Sequence, residues 1–401
     1  MMMSRRIVSL GLRIALVGTV AASVFSAARA GREPGPAARI PAGPAGADEE
    51  RLRAEVTLLA SPAYAGRRGE GGRRTAEHLA AEFRALGLEP LFDGVYAQPI
   101  PGEVPGKDQG RNVGARLAGS DPLRRDEWII LAAHYDHLGV RGGILYPGAD
   151  DNASGVAMML EVARALVQAP ERPKRSVMFI GFDLEEVGLF GSRYFVEHSP
   201  VPLDRVKLFV TADMIGRALG GVCTSNVFVM GTEHAPELRP WIKSPAATEP
   251  LTVGLLGSDL LVLNRSDYGP FRARQIPYLF FSTGENPCYH APEDTAATLN
   301  YPKLAAITRV ILGVVQQAAG ADQMPVWRPM PDNPFAEAVA VREILRTLLE
   351  HRQVLKIAPA QVLLMSNTLR GLDAIVARGV ITPAERSAMV NVARIVLISV
   401  L

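Results

Sequence analysis

The sequence predicts an α/β fold with a mixed, mostly parallel central sheet, helices on both faces and a helical C-terminal extension. Short apolar runs rich in β-branched and aromatic residues read as buried strands, and segments with apolar residues at helical spacing lie between and after them. Their alternation implies a largely parallel sheet covered on both sides. Composition agrees: the chain has 401 residues, 48% of them hydrophobic and 21% charged, as expected of a folded protein. With 43 Lys+Arg against 41 Asp+Glu the formal net charge is +2, which gives no global electrostatic case for binding nucleic acid or a membrane surface. Two cysteines are too few for a disulfide scaffold or a Cys-rich zinc module. Cys223 and Cys288 are left with two readings, one disulfide in an oxidising compartment or two free thiols.

Taken in order, residues 1–30 carry the pattern of an export signal: a basic start at Ser4-Arg5-Arg6, an apolar stretch from Ile14 to Phe25 and the small-residue site Ala28-Arg29-Ala30. Arg13 leaves the apolar run short of the roughly 20 residues a membrane anchor requires. The expected location is therefore periplasmic or extracellular, with no stable membrane association after cleavage. Residues 31–47, rich in Pro, Gly and Ala, read as a flexible linker. Thr75 to Leu86 is a helix, with Leu79, Phe83 and Leu86 on one face and Gly87 as its stop. Strands follow at Trp128–Ala133, Ser176–Phe182, Val206–Ala212, Val227–Met230 and Ile276–Phe281, with helices at about Ala153–Leu166 and Tyr301–Gln317. The C-terminal extension, 321–401, opens a helix at Asn333-Pro334, and Val341, Leu345 and Leu348 share one face of it. A capping box at Thr382-Pro383-Ala384-Glu385 leads into Met389, Ala393, Val396 and Val400. These helices are expected to pack on the preceding domain or on one another, with self-association or a lid as the sharper expectation.

The chemistry stands where the strands end, which is where open α/β sheets bind ligands. His134-Tyr135-Asp136 follows the first run, Asp183-Leu184-Glu185-Glu186 the second and Asp213 the third, while Tyr289-His290 lies in the loop after the last. Asp150-Asp151 precedes a helix start. Singly, such groups are helix caps or surface residues. Collected beside buried strands without a counter-ion they would be costly, and a metal resolves the conflict. Two imidazoles with three carboxylates suit zinc, with cobalt or manganese as substitutes. One carboxylate bridging two ions about 3.5–4 Å apart would let five residues hold both. Of the adjacent glutamates, one can bind metal while the other faces the attacking water. Asp136 is placed to orient His134 through its second ring nitrogen.

The segments "AAHYDHLG", "YPGADDNASGVAMMLEVAR", "FIGFDLEEVGLFGSRYF", "VTADMIGR" and "CYHAPEDT" resemble, in order, the signature blocks of the M28 zinc peptidases, the secreted co-catalytic aminopeptidases. With the upstream stretch "LASPAYAGRRGEGG" the likeness spans about residues 48–320. The resemblance implies a zinc exopeptidase-like fold holding two Zn2+ per chain. His134 and Asp213 would complete one site, Glu186 and His290 the other, and Asp150 would bridge, aimed by a cis peptide bond to Asp151. It also implies Glu185 as general base and, with a packing aromatic as the alternative reading, Tyr289 as a contact of the tetrahedral intermediate. Ser266-Asp267-Tyr268 departs from the Ser-Asp-His of many members, which puts that loop's orienting role in question. The activity expected is removal of N-terminal residues from peptides with a free N-terminus. The alternatives are glutaminyl cyclisation with one zinc on the same fold, and a non-catalytic binding protein.

Overall fold

The computed structural model describes residues 46–102, 106–243, 251–258, 263–332 and 334–400. The export signal, nearly all of the linker and the Asn333 cap lie outside the described residues. Helix α1 (Glu49–Leu59) is capped by Asp48, whose carboxylate accepts the amides of Glu50 and Arg51. Helix α2 (Glu70–Ala85) begins earlier than periodicity suggests, because Glu70 to Arg74 form a charged first turn without an apolar stripe. Short strands β1 (Glu89–Pro90) and β2 (Ala97–Pro101) both pair with β3 (Asp108–Leu117) at the sheet edge.

The centre is built from β4 (Trp128–His134), β7 (Ser176–Phe182), β8 (Val206–Ala212) and β11 (Tyr278–Ser282), with β5 (Gly139–Arg141) and β6 (Ile144–Tyr146) forming a separate hairpin. The four central strands run parallel in the order β7-β4-β8-β11. Antiparallel partners flank them, β3 against β7 and β9 (Asn226–Met230) against β11, and β10 (Thr252–Leu255) closes the far edge parallel to β9. The expected mixed, mostly parallel sheet is therefore the observed one.

Alternating side chains feed two cores. Ile129, Leu131, Val177, Phe179, Leu208, Val210, Leu279 and Phe281 pack under α1, α2, α3 (Ser154–Gln168) and α6 (Tyr301–Gly320). On the other face Ile130, Met178, Ile180, Phe209, Tyr278 and Phe280 meet α4 (Phe190–Glu197), α5 (Tyr268–Ala273) and the C-terminal helices α7 (Pro334–Glu350), α8 (Pro359–Arg378) and α9 (Pro383–Val400). Val341, Leu345, Leu348, Met389, Ala393 and Val396 are buried there. The capping box at α9 is formed: the Thr382 amide donates to Glu385 at 2.8 Å, and the Glu385 amide donates back to Thr382 Oγ1 at 3.3 Å. No described helix is long and apolar enough to cross a membrane. Both cysteines are free thiols, and burial pushes the Cys223 thiol up to about 11.

One buried ion pair ties α1 to α3. Arg51 donates to Glu161 through Nε at 2.9 Å and Nη2 at 2.5 Å, and the Asp48 amide adds a third bond at 3.0 Å. Arg51→Met strips the buried Glu161 carboxylate of its hydrogen-bonded cation and leaves only Arg164, at 3.8 Å, so unfolding free energy in urea is expected to fall by about 3 kcal/mol. A midpoint unchanged from the parent would contradict this.

Candidate metal centre

Because the four central strands are parallel, their C-terminal ends share one edge, and the loops there bring the polar groups together. His134 ends β4 and is buried, with Nε2 at 3.5 Å from Asp151 Oδ1 and 3.4 Å from Asp213 Oδ1. Glu186, from the loop after β7, lies with Oε2 at 3.1 Å from His290 Nε2 and Oε1 at 2.7 Å from His137 Nδ1. Asp151 Oδ2 faces this second group, 3.2 Å from His290 and 3.8 Å from His137. Two sets of possible donors result, His134, Asp151, Asp213 and His137, Asp151, Glu186, and Asp151 is common to both. The fit to cations is chemical as well as geometric. His134 Nε2 and Asp213 Oδ1, which face one another at 3.4 Å, are buried without a hydrogen-bond partner, a costly state unless a metal satisfies them.

Here the structure corrects the assignment of Asp150. Both of its carboxylate oxygens are already taken, Oδ1 by the Gly216 amide at 2.6 Å and Oδ2 by Asn286 Nδ2 at 3.1 Å, and it belongs to neither donor set. Asp151 occupies the shared position instead, and the cis peptide bond is Asp151-Asn152, one residue later than expected. Around it the turn is fixed by Asp294, which accepts the amides of Asp150 at 3.0 Å and Asp151 at 3.1 Å and is itself held by Arg217 at 3.2 Å. Gly148 must be glycine: its φ is +60°, and a Cβ there would sit 2.5 Å from the His137 ring.

Asp136 has a different principal contact from the one expected. Its carboxylate accepts the backbone amides of Glu185 at 3.0 Å and Glu186 at 3.3 Å, and stands 3.7 Å from His134 Nδ1. His134 Nδ1 meets the Asp136 carbonyl at 3.3 Å. Thus Asp136 faces the imidazole and also sets the turn that separates Glu185 from Glu186. Asp183 lies outside the cluster, accepting from the Arg111 amide at 2.9 Å and from Tyr135 at 3.0 Å. The departing Ser-Asp-Tyr loop still contributes: Ser266 Oγ donates to Asp213 Oδ2 at 3.1 Å, while Tyr268 is buried and stacks on Tyr278.

Charges in the cluster polarise one another. Burial opposes a charged His290, yet hydrogen bonds to Asp151 and Glu186 carry its pKa up to about 10. Burial works the other way on Glu186, but bonding to His137 and His290 holds it well below the usual carboxylate range. Removal from water, reinforced by Asp213 and Asp267, pushes Glu185 well above that range. Glu185 borders a cavity of roughly 210 Å³ whose walls include Leu219, Phe228, Met230, Leu256 and Phe280. Tyr289 also lines it and stacks on His290, with ring centroids 3.9 Å apart.

Sequence reasoning missed His137, although it follows the same strand end as His134 and the strand-end rule alone would have found it. Asp294 and Arg217 carried no local signal.

Residues 112–315, half of the chain, match the model of peptidase family M28. The chain belongs to peptidase family M28. Aminopeptidase YwaD of Bacillus subtilis is 30% identical over 213 residues, which cover 51% of this chain and 44% of that relative. The chain thus spans less than half the length of that curated relative. In fold it is similar to the Legionella pneumophila LapA aminopeptidase, with a TM-score of 0.56 at 21% identity over 69% of this chain and 73% of the other. It is also similar to Porphyromonas gingivalis glutaminyl cyclase, with a TM-score of 0.54 at 19% identity over 67% and 98%. Both likenesses support the zinc exopeptidase-type fold expected of an M28 chain.

Proposed function

We propose that this M28 chain is an exported, two-zinc aminopeptidase that removes residues with large apolar side chains from peptides with a free N-terminus. The observation that carries the reading is Asp151, whose two oxygens face separate groups of imidazole and carboxylate donors. His134 and Asp213 would hold one ion, and Glu186 and His290 the other, with His137 beside them and Asp151 between. Bound there, such a pair supplies Lewis-acid activation of a water and of the scissile carbonyl.

This chain's residues do the rest. Glu185, held at the cavity wall by the Asp136 contact to its amide, takes the proton of the attacking water and delivers it to the leaving amine. Tyr289, which lines the same cavity, is the residue assigned to the carbonyl oxygen as it gains charge. The α-amino group of the substrate is accepted by a carboxylate of the cavity wall, Glu185 or Asp213, and the apolar wall from Leu219 to Phe280 takes the first side chain. Export rests on the basic start, apolar stretch and small-residue site at the N-terminus.

The test is a panel of aminoacyl p-nitroanilides on zinc-loaded protein. Leu, Met and Phe derivatives are expected to release product, with Asp and N-acetyl-Leu derivatives inert and about two zincs bound per chain. One zinc, with cyclisation of an N-terminal Gln substrate and no release from any anilide, would establish the cyclase alternative instead.

A further inference from the structure

We propose that Arg67 is the positioning residue of the metal centre, a buried guanidinium that fixes the backbone carrying Asp151 and His134 so that their side chains meet at the correct separation. The inference rests on the metal-binding reading above.

Arg67 is fully buried and lies outside the stretch matched by the family model. Each of its five N–H groups ends on a backbone carbonyl. Nε donates to Tyr135 at 2.8 Å, Nη1 to Pro147 at 2.6 Å and Leu59 at 3.2 Å, and Nη2 to Gly148 at 2.6 Å and Asp151 at 3.1 Å. Four of these acceptors belong to the two segments that carry the cluster: Tyr135 directly follows His134, and 147–151 is the turn that ends in Asp151. Only a planar fork with five donors can serve this many fixed carbonyls at once. Opposite it, Asp294 accepts the amides of Asp150 and Asp151. The turn is thereby gripped from two sides, its carbonyls by a cation and its amides by an anion.

A second observation shows that the chain is bent to put Arg67 there. Ala65, Gly66 and Arg67 have φ of 46°, 63° and 53°, three successive left-handed residues of which two are not glycine. Such conformations persist only where surrounding contacts enforce them, and they concentrate at functional sites. At Gly66 the backbone passes so close to the hairpin that a Cβ would lie 2.5 Å from the Tyr146 carbonyl oxygen. Burial lowers the Arg67 pKa to about 10, with Asp151, Asp294, Asp136 and Glu186 acting against the fall, so the group remains a cation at neutral pH.

Electrostatics gives the test its sign. A cation beside a metal site opposes metal binding, so removing Arg67 for reasons of charge alone would tighten zinc. Positioning predicts the reverse. In competition with a chromogenic chelator, Arg67→Met is expected to weaken zinc binding about 10- to 100-fold, the range found when groups that orient metal ligands are removed. Arg67→Lys keeps the charge but lacks the fork, and is expected to show a loss of the same order. Arg51→Met, at a buried arginine whose partners are Glu161 and Asp48 and not the cluster, serves as the control: it should lower the unfolding midpoint of the metal-free protein while leaving zinc affinity at the parent value.

Zinc affinity equal to or tighter than the parent in Arg67→Met overturns the proposal, as does an equal loss in Arg51→Met. Should Arg67→Met not fold, Arg67→Lys decides by the same reading. Absence of zinc binding by the parent protein would refute the metal reading itself, a distinct outcome from a parent that binds zinc and variants that bind it equally well.

Discussion

Glu185→Gln is expected to lower kcat by about 10²- to 10⁴-fold while leaving the zinc content unchanged. The argument is positional. Asp136 holds the amides of both Glu185 and Glu186, and Leu184 just before them has φ +59°, so the chain turns sharply and the two carboxylates diverge. Glu186 turns toward His137 and His290, while Glu185 borders the cavity where substrate would lie. Glutamine preserves the shape of that wall but cannot accept a proton from water and return it to the amine. Steady-state rates on the leucine anilide and elemental analysis of the same preparation check both halves. Zinc lost together with activity would make Glu185 a ligand, and a rate within about threefold of the parent would remove it from proton transfer, since such transfer contributes at least about 10².

The divergence of the two glutamates was legible in the sequence because adjacent residues on a turning backbone point apart. The sheet was legible for a related reason: fully buried strands appear as uninterrupted apolar runs, and "WIILAA" or "SVMFIGF" has few other ways to fold. Strand direction was not. β9 has the same apolar character as β8, yet it runs antiparallel to β11, a choice made by its pairing of Met230 with Phe280 rather than by its own residues. Helix α8 left a weak pattern because only Met365, Leu372 and Ile375 of its described residues are buried. Arg67 was invisible as a functional residue for the same physical reason. Its partners are carbonyls, which every residue possesses, and they are gathered from up to 84 positions away.

The Asp150-Asp151 doublet marks the sharpest limit, and it yields the second large effect. Asp151→Asn is expected to strip the proposed pair of zinc ions, weakening binding by more than the roughly 10- to 100-fold that follows loss of an outer partner, because each set loses a shared anionic donor at once. Asp150→Asn should do the opposite. Its replacement amide can still accept from Gly216, but its NH2 meets the NH2 of Asn286, whose oxygen is already engaged by the Cys288 amide at 2.9 Å. Zinc content is therefore expected to stay at the parent level while folding stability falls by about 1–3 kcal/mol. Metal analysis and urea unfolding of both variants separate the two carboxylates cleanly, since one change moves only the first measurement strongly and the other only the second. Zinc retained in Asp151→Asn and lost in Asp150→Asn would return the bridging position to Asp150. Local sequence does not decide between these two chemically identical neighbours; Gly216 and Asn286 do, by occupying one of them and leaving the other free for metal.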